Sequence, residues 1–171
     1  SFYEIFAHGQ AFDMGNGGGL TLTPDSATAP TVYTVSSGAP AVDLTKVNAL
    51  PNTLVAGSTQ DGVVDHQLGF TLNYPGGSTT AIRPGSNGFI WLNGTQTDND
   101  FSPTVLELLG NTAAAPKPAR LAVLWHDFSG TKNNIPPTIT GNGLHALTDV
   151  SGGPGNAVCY VTWLNTGEFP I

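Results

Sequence analysis

The chain has 171 residues, a net charge of −7, and only 10% charged side chains, against roughly 25% in an average soluble domain. Its five cationic residues, Lys46, Arg83, Lys117, Arg120 and Lys132, are dispersed, so no basic stripe exists for phosphates, which excludes nucleic acid and anionic lipid as partners. No apolar stretch approaches the ~20 residues that span a bilayer, and a single cysteine, Cys159, rules out a disulfide within the chain.

The length suits one domain over residues 1–171 with a sizeable core. Gly (22) and Pro (13) are abundant without a fixed period, which argues for many short strands joined by turns rather than for a collagen-like or low-complexity chain. At the N-terminus Phe2, Tyr3, Ile5 and Phe6 are too apolar to be left in water. They predict docking, either onto the domain's own core or onto a neighbouring molecule. The glycine-rich segment 13–19 reads as a loop. Residues 20–23 and 31–35 read as strands, and 36–58, broken by Pro40 and Pro51, as irregular chain with one or two short strands.

Residues 69–94, GFTLNYPGGSTTAIRPGSNGFIWLNG, are the clearest structural signal. Phe70, Leu72 and Tyr74 alternate with Thr71 and Asn73, the period of a half-buried strand. Pro75, Gly76 and Gly77 supply a tight turn, and residues 79–82 form the return strand. Pro84-Gly85 and Asn87-Gly88 mark a second turn before the apolar run Phe89, Ile90, Trp91, Leu92. The spacing predicts one short helix over 103–109, with Ser102 as its cap, Pro103 in its first position and Gly110 ending it. LAVLWHDF, residues 121–128, reads as one central strand. Residues 144–150 and 157–164 read as a hairpin in which Cys159, Val161 and Trp163 share one face and Tyr160 and Thr162 the other. The expected fold class is therefore all-β, an antiparallel two-sheet β-sandwich of jelly-roll or Ig-like type.

SFYEIFA, GFTLNYPGGSTT, SNGFIWLNG, LAVLWHDF and GGPGNAVCYVTWLN, in that order, resemble a module of large secreted bacterial proteins of planctomycete type. The hairpin and SNGF portion is also loosely similar to nidogen-type extracellular β-domains. The resemblance implies an exported, extracellular or cell-surface module that is a piece of a longer protein. It carries no catalytic signature. Relatives place a cysteine before SNGF where this chain has Gly85, so no disulfide carries over.

Candidate chemistry is sparse. His126 and Asp127 are the best catalytic pair, as a base and its acid. Neighbours on a strand point to opposite faces, however, and no G-x-S-x-G elbow supplies a nucleophile. His8, His66 and His145 show no metal-ligand spacing. Asp98, Asn99 and Asp100 resemble a fragment of a calcium loop, able to give four or five of the six to eight oxygens that calcium takes, and otherwise read as a solvated loop before the helix. No other cofactor is implied. Trp91, Trp125 and Trp163 lie in apolar runs and predict core packing, with Trp125 and Trp163 in the same core. Tyr74 and Tyr160 are then the rings a glycan would meet. Three readings follow. The first is a non-enzymatic structural or adhesive module that self-associates into a fibre or surface layer, or meets neighbouring modules, through residues such as Phe2, Tyr3, Ile5 and Phe6. The second is a carbohydrate-binding module. The third is a hydrolase using His126 and Asp127.

Overall fold

The computed structural model describes residues 19–38, 62–93, 119–123, 125–126, 128–129, 143–153, 155–164 and 167–168. Every regular element among them is a β-strand: β1 (Gly19–Pro24), β2 (Tyr33–Gly38), β3 (His66–Tyr74), β4 (Gly77–Pro84), β5 (Phe89–Trp91), β6 (Arg120–Ala122), β7 (Phe128–Ser129), β8 (Gly143–Asp149), β9 (Val158–Leu164) and β10 (Gly167–Glu168). Strands β3-β4-β5-β6 make a four-stranded sheet, and β1-β2, β7-β10 and β8-β9 pair in twos. The registered pairs are antiparallel, so the all-β class holds and the architecture fits the expected sandwich. The segment 103–109, expected to be helical, lies outside the described residues.

The chain divides into two compact units, residues 1–44 with 73–77, and residues 45–72 with 78–171. In the first, β1 and β2 pair from Gly19↔Gly38 to Pro24↔Tyr33. The register sets Thr21 and Thr23 across from Ser36 and Thr34 on one face, and Leu22 across from Val35 on the other. The connecting loop is held by Asp25. Its carboxylate accepts from the Thr31 and Val32 amides at 2.9 and 3.2 Å and from the Thr31 hydroxyl at 2.7 Å. The tip of the β3–β4 hairpin belongs to the same unit, and its Asn73 amide donates to the Ala27 carbonyl at 2.9 Å. Gly76, at φ 91°, follows Pro75 in this turn, a left-handed position that a side chain would strain. The Tyr74 ring folds back over Gly77, where an added Cβ would lie 3.0 Å from the phenol oxygen.

The second unit holds the core, formed by Leu68, Ile82, Phe89, Ile90, Trp91, Leu92, Leu144 and Ala146. Strand β3 shows the predicted alternation, with Gln67, Gly69 and Thr71 exposed and Leu68, Phe70 and Leu72 turned inward to differing degrees. Strand β5 is buried at all three positions, as a strand covered on both faces must be. The run 121–128 departs from the expectation of one central strand. Among its described residues, Leu121 and Ala122 end β6, Val123 and His126 are bends and Phe128 opens β7, and β6 stands last in its sheet among the described strands. Leu121 and Val123 are 46% and 60% exposed. Apolarity of a run signals removal from water but does not specify which neighbour supplies it, and sheet order is decided by residues far away in sequence.

Candidate functional site

The turn between β4 and β5 is the most heavily constrained point of the second unit. Pro84, Gly85, Asn87 and Gly88 are all buried, which a turn tolerates only when its polar groups find partners. Here they do. The Gly85 amide donates to the Phe89 carbonyl at 2.8 Å, and the Ser86 amide to the Gly62 carbonyl at 2.9 Å. The Val64 amide donates to the Pro84 carbonyl at 3.1 Å, and the Gly62 amide to the Ser86 hydroxyl at 3.2 Å. Gly88 sits at φ 80°, a conformation that glycine reaches without steric cost. The turn's outward carbonyls then organise the next segment. Asn87 accepts from the His126 amide, and Gly88 from the Val123 amide, each at 3.1 Å. The Trp163 indole donates to the Gly85 carbonyl at 2.9 Å, tying β9 to the same turn.

Directly after the turn, Phe89 packs edge-on to Trp91, centroids 5.5 Å apart and planes at 80°, and against Trp125 at 5.3 Å. Register Trp91↔Arg120 brings the Arg120 side chain to this cluster. Its guanidinium carbon lies 3.9 Å from the Trp125 ring centroid, 4.9 Å from that of Trp91 and 6.0 Å from that of Phe89. Both terminal nitrogens are shielded from solvent. Phe89 and Trp91 are fully buried, and Trp125 and Trp163 are mostly buried with a smaller part of each exposed, in keeping with the expectation of inward-packed tryptophans.

Burial and pairing shift the protonation of several groups in the second unit, among them His66, Cys159 and Asp65. Burial pushes the His66 imidazole below its ordinary value, and its Nε2 lies 2.8 Å from the Thr148 hydroxyl. The Cys159 thiol, half-buried across the strand pair from Thr148, is pushed up by burial, an effect partly offset by a hydrogen bond from Thr148. A thiol held protonated in this way is a poor nucleophile. Asp65 is lowered by its hydrogen bond and ion pair with Arg83. Among the described residues no group of three or more His, Cys, Asp or Glu could hold a metal ion.

The candidate residues from the sequence fall as follows. His126 is half-buried beside the β4–β5 turn, and Asp127 lies outside the described residues. So do Asp98, Asn99 and Asp100, and Phe2, Tyr3, Ile5 and Phe6. Tyr74 and Tyr160 are both half-buried, Tyr74 in the first unit at the hairpin tip and Tyr160 in the second on β9 opposite Leu147. Three features escaped the sequence reading: Arg120, buried Asn87, and His145, which is 2% exposed. The available signal for Arg120 was its position as one of few cations, set against an apolar run.

The described part of the chain is all-β, with antiparallel sheets and an aromatic core behind the β4–β5 turn. The chain matches the NIDO-related family over residues 26–169, most of its length, and belongs to that family. No curated protein and no solved structure matches it. Domains of this kind are typical of extracellular proteins. No helix among the described residues is long and apolar enough to cross a membrane.

Proposed function

We propose that this chain is a non-enzymatic extracellular module with a structural or adhesive role, meeting copies of itself or neighbouring modules through apolar ends and strand edges. Membership of the NIDO-related family is the observation that carries the reading. The edges add support. Leu121 and Val123 stand in water on and just after the last strand of the four-stranded sheet, with no lysine or proline on β6 to guard it. In this reading Phe2, Tyr3, Ile5 and Phe6 supply the second contact surface, so that head-to-tail contacts extend along a series of modules. Sedimentation over a wide concentration range tests it, with residues 1–6 present and deleted. The intact chain is expected to associate as concentration rises, and the deleted chain to stay folded and monomeric. An intact chain that is strictly monomeric at the highest concentration, or a deletion that unfolds the domain at every concentration, overturns the assembly role.

A further inference from the structure

The one side-chain constellation among the described residues whose geometry is that of a ligand site is the ring cluster around Arg120. Three aromatic rings, with Phe89 in contact with both tryptophans, lie around one guanidinium, Trp125 nearest at 3.9 Å, Trp91 at 4.9 Å and Phe89 at 6.0 Å. Ring faces carry negative electrostatic potential, and they favour a planar, weakly hydrated cation over a compact, strongly hydrated one. The site is built rather than incidental. Phe89 and Trp91 are fully buried, and both terminal guanidinium nitrogens of Arg120 are shielded from solvent. The cation also comes from a three-residue strand that stands last in its sheet among the described strands, in register with one of the rings that receive it.

We propose that Phe89, Trp91 and Trp125 form a cation-binding aromatic box, specific for guanidinium-type organic cations, which the chain fills from within using Arg120. The filled box bolts β6 to β5. Strand β6 contributes only three residue pairs to the sheet, Phe89↔Ala122, Ile90↔Leu121 and Trp91↔Arg120, and Leu121 and Ala122 are exposed. Backbone pairing over so short a length gives little, because water competes for the same hydrogen bonds. The guanidinium lies among the rings of the core cluster, whereas Leu121 and Ala122 are exposed.

The proposal separates a cation site from a merely apolar one. Arg120→Met keeps chain length and apolar contact but removes the charge and planarity. It is expected to lower the melting temperature by roughly 5–10 °C. Arg120→Lys is expected to recover only part of that loss, because an ammonium stays hydrated. In Arg120→Ala the box is vacated, and methylguanidinium at millimolar concentration is expected to raise the melting temperature saturably and to change tryptophan emission. Methylammonium is expected to do neither, and the wild type to respond to neither. An Arg120→Met variant as stable as wild type overturns the proposal. So does an Arg120→Ala variant whose response to methylguanidinium equals that of wild type. Should the alanine variant fail to fold, a double-mutant cycle of Arg120→Met and Trp125→Leu decides in its place. The cation site predicts that the two losses are markedly less than additive, and strict additivity rejects it.

Discussion

The β1–β2 hairpin and the β5 strand are both regular, paired β-structure, yet residues 21–24 and 33–38 of the hairpin are largely exposed and β5 is buried throughout. Over residues 21–24 and 33–38, Tyr33 alone is even half-buried, and Leu22 and Val35 keep 48% and 44% of their surface exposed. On β5 all three residues are buried, Phe89 and Trp91 completely. The hairpin has the longer ladder, six paired positions against the three that β5 makes with β6. Pairing is thus not what separates them. Ladder hydrogen bonds replace bonds to water and contribute little net, whereas apolar area removed from water contributes about 25 cal/mol per Å². A two-stranded hairpin with little burial is marginal in water. A three-residue strand covered on both faces can anchor a domain.

The largest expected effect follows from that contrast. Trp91→Ala should cost roughly 3–5 kcal/mol in denaturant unfolding, because it leaves a cavity ringed by Phe89 and Arg120. A loss below 1 kcal/mol would place the core elsewhere. Gly88→Ala comes next. A Cβ at φ 80° costs about 1–2 kcal/mol, and Gly88 is buried. The same assay reads it, and a neutral outcome would mean that the turn does not fix the segment after it.

Acid separates the two regions by order of loss. The His66 imidazole is depressed by burial, so the unfolded chain binds the proton more readily. Its contribution is complete above the ordinary value near 6.5 and is lost as pH falls from there through the folded value. Asp25 is lowered by its bonds from Thr31 and Val32, and Asp65 by Arg83. Their contributions are present above the ordinary carboxylate value of 3.8 and are lost only on going below it. Resonances around Thr148 on β8 should therefore shift before those of the Asp25 loop as pH is lowered. Simultaneous change, or the reverse order, breaks the assignment. The smallest effect is expected in the hairpin. Leu22→Thr or Val35→Thr should change stability by no more than about 0.5 kcal/mol, since each residue is exposed. A larger loss would mean that this face is covered in solution.

Local patterns were readable from the sequence, and non-local neighbours were not. The alternation of Phe70, Leu72 and Tyr74 gave β3, and the glycine and proline turns gave the β3–β4 and β8–β9 hairpins, because those signals lie within a few residues. Arg120 was counted only as a scattered charge. Its role depends on being registered against Trp91, 29 positions earlier, with Trp125 folded back over it. For the same reason LAVLWHDF reads as a central strand while Leu121 and Val123 face water. The buried Asn87 and His145 were equally invisible, because a polar residue enters a core only where distant partners receive it. His126 was legible as a residue type, and its backbone bond to the β4–β5 turn was not.

The central claim is that stability concentrates in the β4–β5 turn and the aromatic core behind it, and not in the longer ladder of β1–β2. Native-state amide hydrogen exchange tests this most directly. The Gly85 and Leu92 amides, bonded to the Phe89 and Ala119 carbonyls at 2.8 Å each, should be protected up to the limit set by global unfolding. Amides paired across β1 and β2 should exchange at least about a hundredfold faster, through local opening. Equal protection in the two regions, or greater protection in the hairpin, would contradict the account.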